Sequence, residues 1–204
     1  MLWSRSRPDT GPPPRLTTDG DDSDDRLVAA AQADPRAFAA LYERYLERVY
    51  RYCYLRLGDR EAAEDATSEA FLKALASLGA FHGGVFAAWL FRIAHNVVVD
   101  RHRRRRATAS LEVAASVPDP ARTPEEHALA GDERERLRAA LAALPEEQRM
   151  VLELQLAGWT GEETARLMGK SLGAVKTQRF RAVARLRELL QNDTSPHAME
   201  AHDA

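Results

Sequence analysis

From Phe38 to about Arg104, and again from about Glu125 to Leu190, the large apolar residues return every three or four positions, and no stretch of strand length alternates apolar with polar. That period belongs to helices burying one face, and it confines the chain to an all-α fold. Phe38, Leu41, Tyr42, Tyr45, Val49 and Tyr52 form the first stripe. "LGDR" at 57–60 interrupts it, with Gly58 placed to close one helix and Asp59 to cap the next. A second helix, about 60–78, puts Ala63, Ala66, Ala70, Phe71, Ala74 and Leu78 on its buried side. "GAFHGG" at 79–84 reads as a loop, and a third helix runs from about Val85 to Arg104.

Two segments lack this pattern. Residues 1–24 are rich in Pro, Gly, Asp, Ser and Thr and read as a disordered leader. "RATASLEVAASVPDPARTP" at 106–124 is poor in large apolar residues, carries three prolines and has linker composition. The chain therefore divides into a helical domain at 25–105, a second at 125–191 and a polar tail at 192–204. Two small helical domains joined by a flexible linker is the expected architecture.

The net charge of −2 conceals strong segregation. Residues 86–106 hold six arginines against Asp100 alone, and residues 170–187 hold six cations and no acid. Acids gather in "DGDDSDD" (19–25), between Glu61 and Glu69, and in "PEEHALAGDERE" (124–135). Two separate basic patches suit two footprints on one polyanion, the other reading being solvated arginine-rich helix faces. The lone Cys53 excludes an internal disulfide, and the scattered histidines offer no metal set, so no cofactor is expected. No apolar run approaches the ~20 residues of a membrane span, and the N-terminus lacks a signal-peptide core. A reducing cytoplasm is the expected compartment, without membrane insertion.

The stretch "LPEEQRMVLELQLAGWTGEETARLMGKSLGAVKTQRFRAVARLRELL" is the most informative. Its first helix packs through Val151, Leu152 and Leu156 and closes at Gly158. Thr160 stands three residues before Glu163, the spacing of a capping box. A short helix over 161–168 ends at Gly169, Ser171 caps the next helix, and that helix starts at Leu172. Two helices joined by a short glycine-containing turn is the helix-turn-helix layout, whose second helix enters the major groove. On that helix Leu172, Val175, Ala182, Val183, Leu186 and Leu190 share one face. Ala174, Thr177, Gln178, Arg181 and Arg185 share the other, where Gln and Arg can read adenine and guanine. Lys176 and Arg187 flank it as phosphate candidates, and Arg179 lies on the helix flank.

At these residues the chain resembles region 4 of bacterial sigma factors, in particular the extracytoplasmic-function (ECF) class that keeps only regions 2 and 4. The resemblance implies contacts to the promoter −35 element from Ser171, Ala174, Lys176, Thr177, Gln178, Arg181 and Arg185, and docking on the β flap of RNA polymerase. Thr177-Gln178-Arg179 departs from the Ser-Arg-Leu that members commonly carry there, which bears on −35 preference.

The first half resembles the same family's region 2. "AEDATSEAFLKAL" (63–75) is similar to the helix that grips the coiled coil of the polymerase β′ subunit. Glu61, Asp65, Ser68 and Glu69 form an acidic stripe opposite Phe71 and Leu75, and the resemblance implies docking through Asp65, Ser68, Glu69 and Lys73. "FHGGVFAAWLFRIAHNVVVDRHRRRR" (81–106) is similar to the −10 segment. Phe86, Trp89, Leu90, Ile93 and Val97 form its inward stripe, while Arg92, Asn96, Asp100 and Arg103 line one outward face suited to a displaced DNA strand. The resemblance implies −10 contacts from Trp89, Arg92, Asn96, Asp100, Arg101, Arg103 and Arg104, with the Gly83-Gly84 loop shaping a pocket for a flipped base. Trp89 has a second reading as core, and His95 and His102 read as polar surface residues.

The expectation is a non-enzymatic alternative sigma factor that docks on core RNA polymerase, binds promoter DNA at −10 and −35, and is held by an anti-sigma factor. A stand-alone helix-turn-helix regulator is the rival, and a helical interaction scaffold a third possibility. No phosphate loop or nucleophile–base set speaks for an enzyme.

Overall fold

The computed structural model describes residues 20–109 and 135–192. Its α-helices are α1 (Gly20–Ala33), α2 (Phe38–Leu57), α3 (Arg60–Ser77) and α4 (Phe86–Ala109), then α5, described over 135–142. The C-terminal trio is α6 (Glu146–Leu156), α7 (Gly161–Met168) and α8 (Leu172–Asn192). Among the described residues there is no strand.

The breaks fall where local chemistry dictates. Gly58 closes α2 at φ 75°, a left-handed conformation that costs glycine least, and Asp59 accepts a hydrogen bond from the Ala62 amide at 2.7 Å to open α3. The alanine face of α3 (Ala63, Ala66, Ala70, Ala74) is buried and lets α2 and α4 approach closely. Leu41, Tyr52, Phe86, Leu90, Val97 and Val98 fill the centre, where Phe91 meets the Tyr52 ring edge-on at 4.8 Å between centroids.

Some boundaries differ from the sequence reading. Residues 20–24, assigned to the leader, are helical, and Asp24 is buried against the Tyr45 hydroxyl and Arg44. Its acidic composition hid a residue whose charge is met on another helix. Residues 106–109 continue α4, whereas 110–124 and the tail from 193 lie outside the described residues. Within α6, Leu154 is buried and Leu156 exposed, since the helix packs on α2 as well as on α8.

The two halves are not separately packed. Leu154, Ala157 and Trp159 join the same buried cluster as α2, α3 and α4, with Met150, Leu167 and Met168 packed against it. Trp159 stacks on Tyr45 at 5.9 Å between centroids and lies under the Arg48 guanidinium at 4.7 Å. Smaller clusters, Val151–Ala165–Val175 and Leu141–Leu144–Leu152–Ala182, hold α5 to α8 together.

Candidate nucleic-acid interface

The turn between α7 and α8 forms as its residues direct. Thr160 Oγ1 accepts from the Glu163 amide at 3.2 Å while the Glu163 carboxylate accepts from the Thr160 amide at 2.7 Å, a complete capping box. Gly169 takes φ 63°, and the Ser171 hydroxyl accepts from the Ala174 amide at 3.2 Å. Ser171 is thus engaged as the N-cap of α8.

Val175 and Ala182 are buried, which turns Ala174, Lys176, Thr177, Arg181 and Arg185 outward. Lys176 and Arg181 make no ion pair among the described residues, whereas Arg185 pairs with Glu188 at 3.1 Å. Gln178 is half-buried, its amide 3.4 Å from the Glu147 carboxylate, which also holds Lys170 at 2.7 Å. The sequence reading passed over Phe180, which stands 77% exposed between Thr177 and Ala184 on the outward face. Its phase on the helix, about 140° from Val175 at ~100° per residue, was the available signal.

On α4, Arg92, Asn96 and Arg103 are exposed and Asp100 half-buried, Asp100 pairing with Arg103 at 3.2 Å. Arg92 and Asn96 make no hydrogen bond or ion pair among the described residues. Arg104 is exposed. Arg101 points the other way, onto α3: its guanidinium lies 3.1 Å from Glu69 and 3.6 Å from Asp65. Trp89 is half-buried among Phe81 and Phe86, at 5.2 and 5.6 Å between centroids.

His95 and His102 turn inward rather than to the surface. His95 Nδ1 meets the Tyr52 hydroxyl at 2.7 Å, and His102 Nε2 lies 3.1 Å from the Arg56 carbonyl. Burial, then the Arg56 charge, hold His95 below the ordinary imidazole value. A depressed pKa gives stability that is present above ~6.5 and lost as pH falls through the folded value. His95→Gln therefore shows a smaller drop in melting temperature between pH 7.5 and 5.5 than the unsubstituted protein. Equal drops in the two proteins would contradict this.

On α3, Asp65 and Ser68 are exposed and Glu69 half-buried. Lys73, bonded to Glu69, holds that carboxyl below the usual range; burial opposes and Arg101 assists. The stripe is thus largely neutralised from within. Leu72, at 67% exposed, and Leu75 stand beside it, so the face is apolar as well as acidic. Leu75, expected opposite the acids, is among its exposed members.

A cleft of about 830 Å³ opens beside α4, between its N-terminal end and the α6–α7 region. Phe81, Gly83, Gly84, Trp89 and Arg92 line one wall, and Met150, Leu167 and Met168 another. The Gly83-Gly84 loop therefore lies on a cleft that it shares with the helix-turn-helix. Among the described residues no helix is long and apolar enough to cross a membrane.

Comparison with known proteins follows these surfaces. Residues 41–108 match the family described as Sigma-70 region 2, and residues 134–186 match Sigma-70, region 4. The ECF RNA polymerase sigma factor BldN of Streptomyces coelicolor is 40% identical over 173 residues, covering 82% of this chain and 66% of that one. The chain thus spans just under two thirds of that relative's length. The ECF RNA polymerase sigma factor SigM of Mycobacterium tuberculosis is 38% identical over 174 residues, covering 82% of this chain and 85% of its own. Among solved structures, CnrH in complex with the cytosolic domain of CnrY superposes with a TM-score of 0.64 at 28% identity, over 85% of this chain and all of that one. With both regions present in order on one all-α chain, the protein belongs to the ECF class of the sigma-70 family.

Proposed function

We propose that the protein is an alternative sigma factor that binds core RNA polymerase and directs initiation from promoters carrying particular −10 and −35 elements. One observation carries this most. The chain that bears a helix-turn-helix with an outward cationic face also bears two further unlike faces, apolar-acidic on α3 and polar-cationic on α4. A stand-alone regulator requires only the first. The protein contributes binding energy, divided between docking, duplex recognition and strand separation, and the polymerase performs the chemistry in the cytoplasm.

In this reading Leu72, Asp65, Ser68, Glu69 and Lys73 meet the β′ coiled coil, Leu72 supplying the desolvated anchor that such interfaces favour. Arg92, Asn96 and Arg103 take the −10 strand, with Trp89 lining the base pocket. Arg101 and Arg104 lie nearer α3 and the end of α4, where they serve position and phosphate attraction. On α8, Lys176, Thr177, Phe180 and Arg181 form the centre of the −35 face, with Ala174, Gln178 and Arg185 at its edge. The sigma factor RpoE of Bartonella quintana, a structural neighbour, was solved in complex with the anti-sigma factor NepR, which supports an anti-sigma factor for this chain too.

Arg181→Ala weakens binding to its −35 duplex by ~1–3 kcal/mol if a base contact is lost. Phe180→Ala weakens it where the site presents a thymine methyl, and not where cytosine replaces that thymine. Titration of labelled duplex reads both, and wild-type affinity in both variants would refute the face. The reading as a whole is tested by size-exclusion chromatography with core polymerase: co-elution is expected, and a folded protein that stays separate overturns it.

A further inference from the structure

We propose that Gln32 is a positioning residue for the −10 site: its amide pins the stem of the loop at 79–85, so that the Gly83-Gly84 tip meets an unpaired base in one shape. The inference rests on the sigma reading above and deepens its −10 face by a residue from α1.

Gln32 stands in the last turn of α1, and its Nε2 donates to the Leu78 carbonyl at 2.9 Å and to the Phe81 carbonyl at 2.8 Å. A side-chain amide has two N–H donors, and both are used on this one stem. The Leu78 carbonyl also accepts from the Phe81 amide at 3.0 Å, closing the turn that the Gln32 side chain clasps from outside. Leu78 and Phe81 are buried, and the Phe81 ring lies 5.2 Å from that of Trp89 between centroids. The stem is thus fixed twice, by packing beneath it and by Gln32 along its polar edge.

Beyond Phe81 that support ends. His82, Gly83 and Gly84 are exposed, and among the described residues none of the three makes a hydrogen bond. Gly83 and Gly84 hold φ 109° and 95°, and a Cβ on either would meet no neighbour within 4 Å. The glycines are therefore required by backbone conformation and not by crowding, and they leave the tip soft. The chain is held again where the Val85 carbonyl accepts from the Ala88 and Trp89 amides at 3.0 and 3.1 Å. An unbraced tip between two anchors takes its shape from where the anchors stand. A base entering beside it binds best when the loop is already ordered. Without the Gln32 bonds the strand must order the loop itself, and its apparent affinity falls with the fraction of loops in the competent shape.

The test compares the full chain with Gln32→Met, which keeps the length and removes both donors, and with Gln32→Lys, which restores donors on a flexible stem. Gln32 is exposed, so both variants are expected to melt with the unsubstituted chain. A nitroxide on a cysteine introduced at exposed His82 reports the loop, the buried Cys53 being shielded from the label. Its spectrum is expected to narrow in Gln32→Met and to recover in Gln32→Lys. The unlabelled unsubstituted and Gln32→Met proteins, each with core polymerase, are then titrated with −10 non-template-strand oligonucleotides from a promoter that the holoenzyme opens. The strands are intact or carry an abasic site stepped through the element. At the position of the pocketed base the unsubstituted protein loses about tenfold on removal of that base. Gln32→Met is expected to bind the intact strand about three- to tenfold more weakly, the loss of two exposed hydrogen bonds, and the abasic strand equally well. Affinity for −35 duplex stays unchanged. A residue that only supports the fold would weaken every strand alike, which would overturn the positioning role. An unchanged nitroxide spectrum in Gln32→Met overturns the pinned stem, and a mobile loop with full base discrimination overturns its part in −10 recognition. Failure of the sigma reading looks different: the unsubstituted chain does not co-elute with core polymerase, while the nitroxide still responds to Gln32→Met.

Discussion

Glu153→Ala lowers the unfolding free energy by about 3 kcal/mol, at the lower end of the ~3–5 kcal/mol for breaking a buried ion pair. Glu153 is fully buried on α6, where it accepts from Arg149 at 2.6 Å and neutralises Arg56 at 3.2 Å. Truncation leaves Arg56 buried with Glu146 as its remaining acidic partner, which is why the loss falls short of the upper figure. Glu153→Gln keeps an acceptor for both arginines and costs less. The pH signs oppose one another within this cluster. Burial raises the Glu153 carboxyl, so its contribution is full below the ordinary carboxylate value and is lost as pH rises through the folded one. Arg56 holds Glu146 low, so its contribution is present above that value and is lost as pH falls. Denaturant titration of Glu153→Ala and Glu153→Gln checks the ranking; equal stability of Glu153→Ala and the unsubstituted chain would show that the pair contributes nothing.

Reversing the docking face has the largest expected effect on function. Asp65→Lys combined with Glu69→Lys places four cations, counting Lys73 and Arg101, where the chain now balances two acids against two bases. A basic partner helix that tolerates the neutral cluster is repelled by the new one, and like charges at an interface cost several kcal/mol. Core polymerase then fails to retain the variant on a sizing column, while −35 duplex affinity is unchanged because both substitutions lie on α3 and leave the outward face of α8 as it is. Co-elution of the variant at wild-type yield would contradict the assignment. Leu72→Ala separates the apolar contribution, since it removes an exposed side chain without changing charge.

Helical period and end signals were legible in the residues: Gly58, Asp59, Thr160, Gly169 and Ser171 all stand where the chain needs a cap. The alanine face of α3 was legible because alanines at spacings of three and four have no other reason to align. What was not legible depends on partners far along the chain. Trp159 sits in the four-residue turn at 157–160, which has no period, so nothing local says it reaches Tyr45. Nothing local on α2 marks Arg48 and Arg56 for burial, because their partners Glu163, Glu146 and Glu153 stand ninety or more positions away. Arg101 illustrates the same limit: five arginines in a run look alike, and its contact with Glu69 separates it from Arg103. Phe180 is the opposite case: its phase on α8 alone places it on the outward face.

As an alternative sigma factor, this chain is expected to confer promoter selection on core RNA polymerase. Run-off transcription of a genomic fragment library with core polymerase, with and without the protein, measures it directly. The account predicts transcripts that start at discrete positions only when the protein is present, share spaced −35 and −10 sequences upstream, and vanish with the Asp65→Lys, Glu69→Lys variant. Identical transcript profiles with and without the folded protein would contradict it.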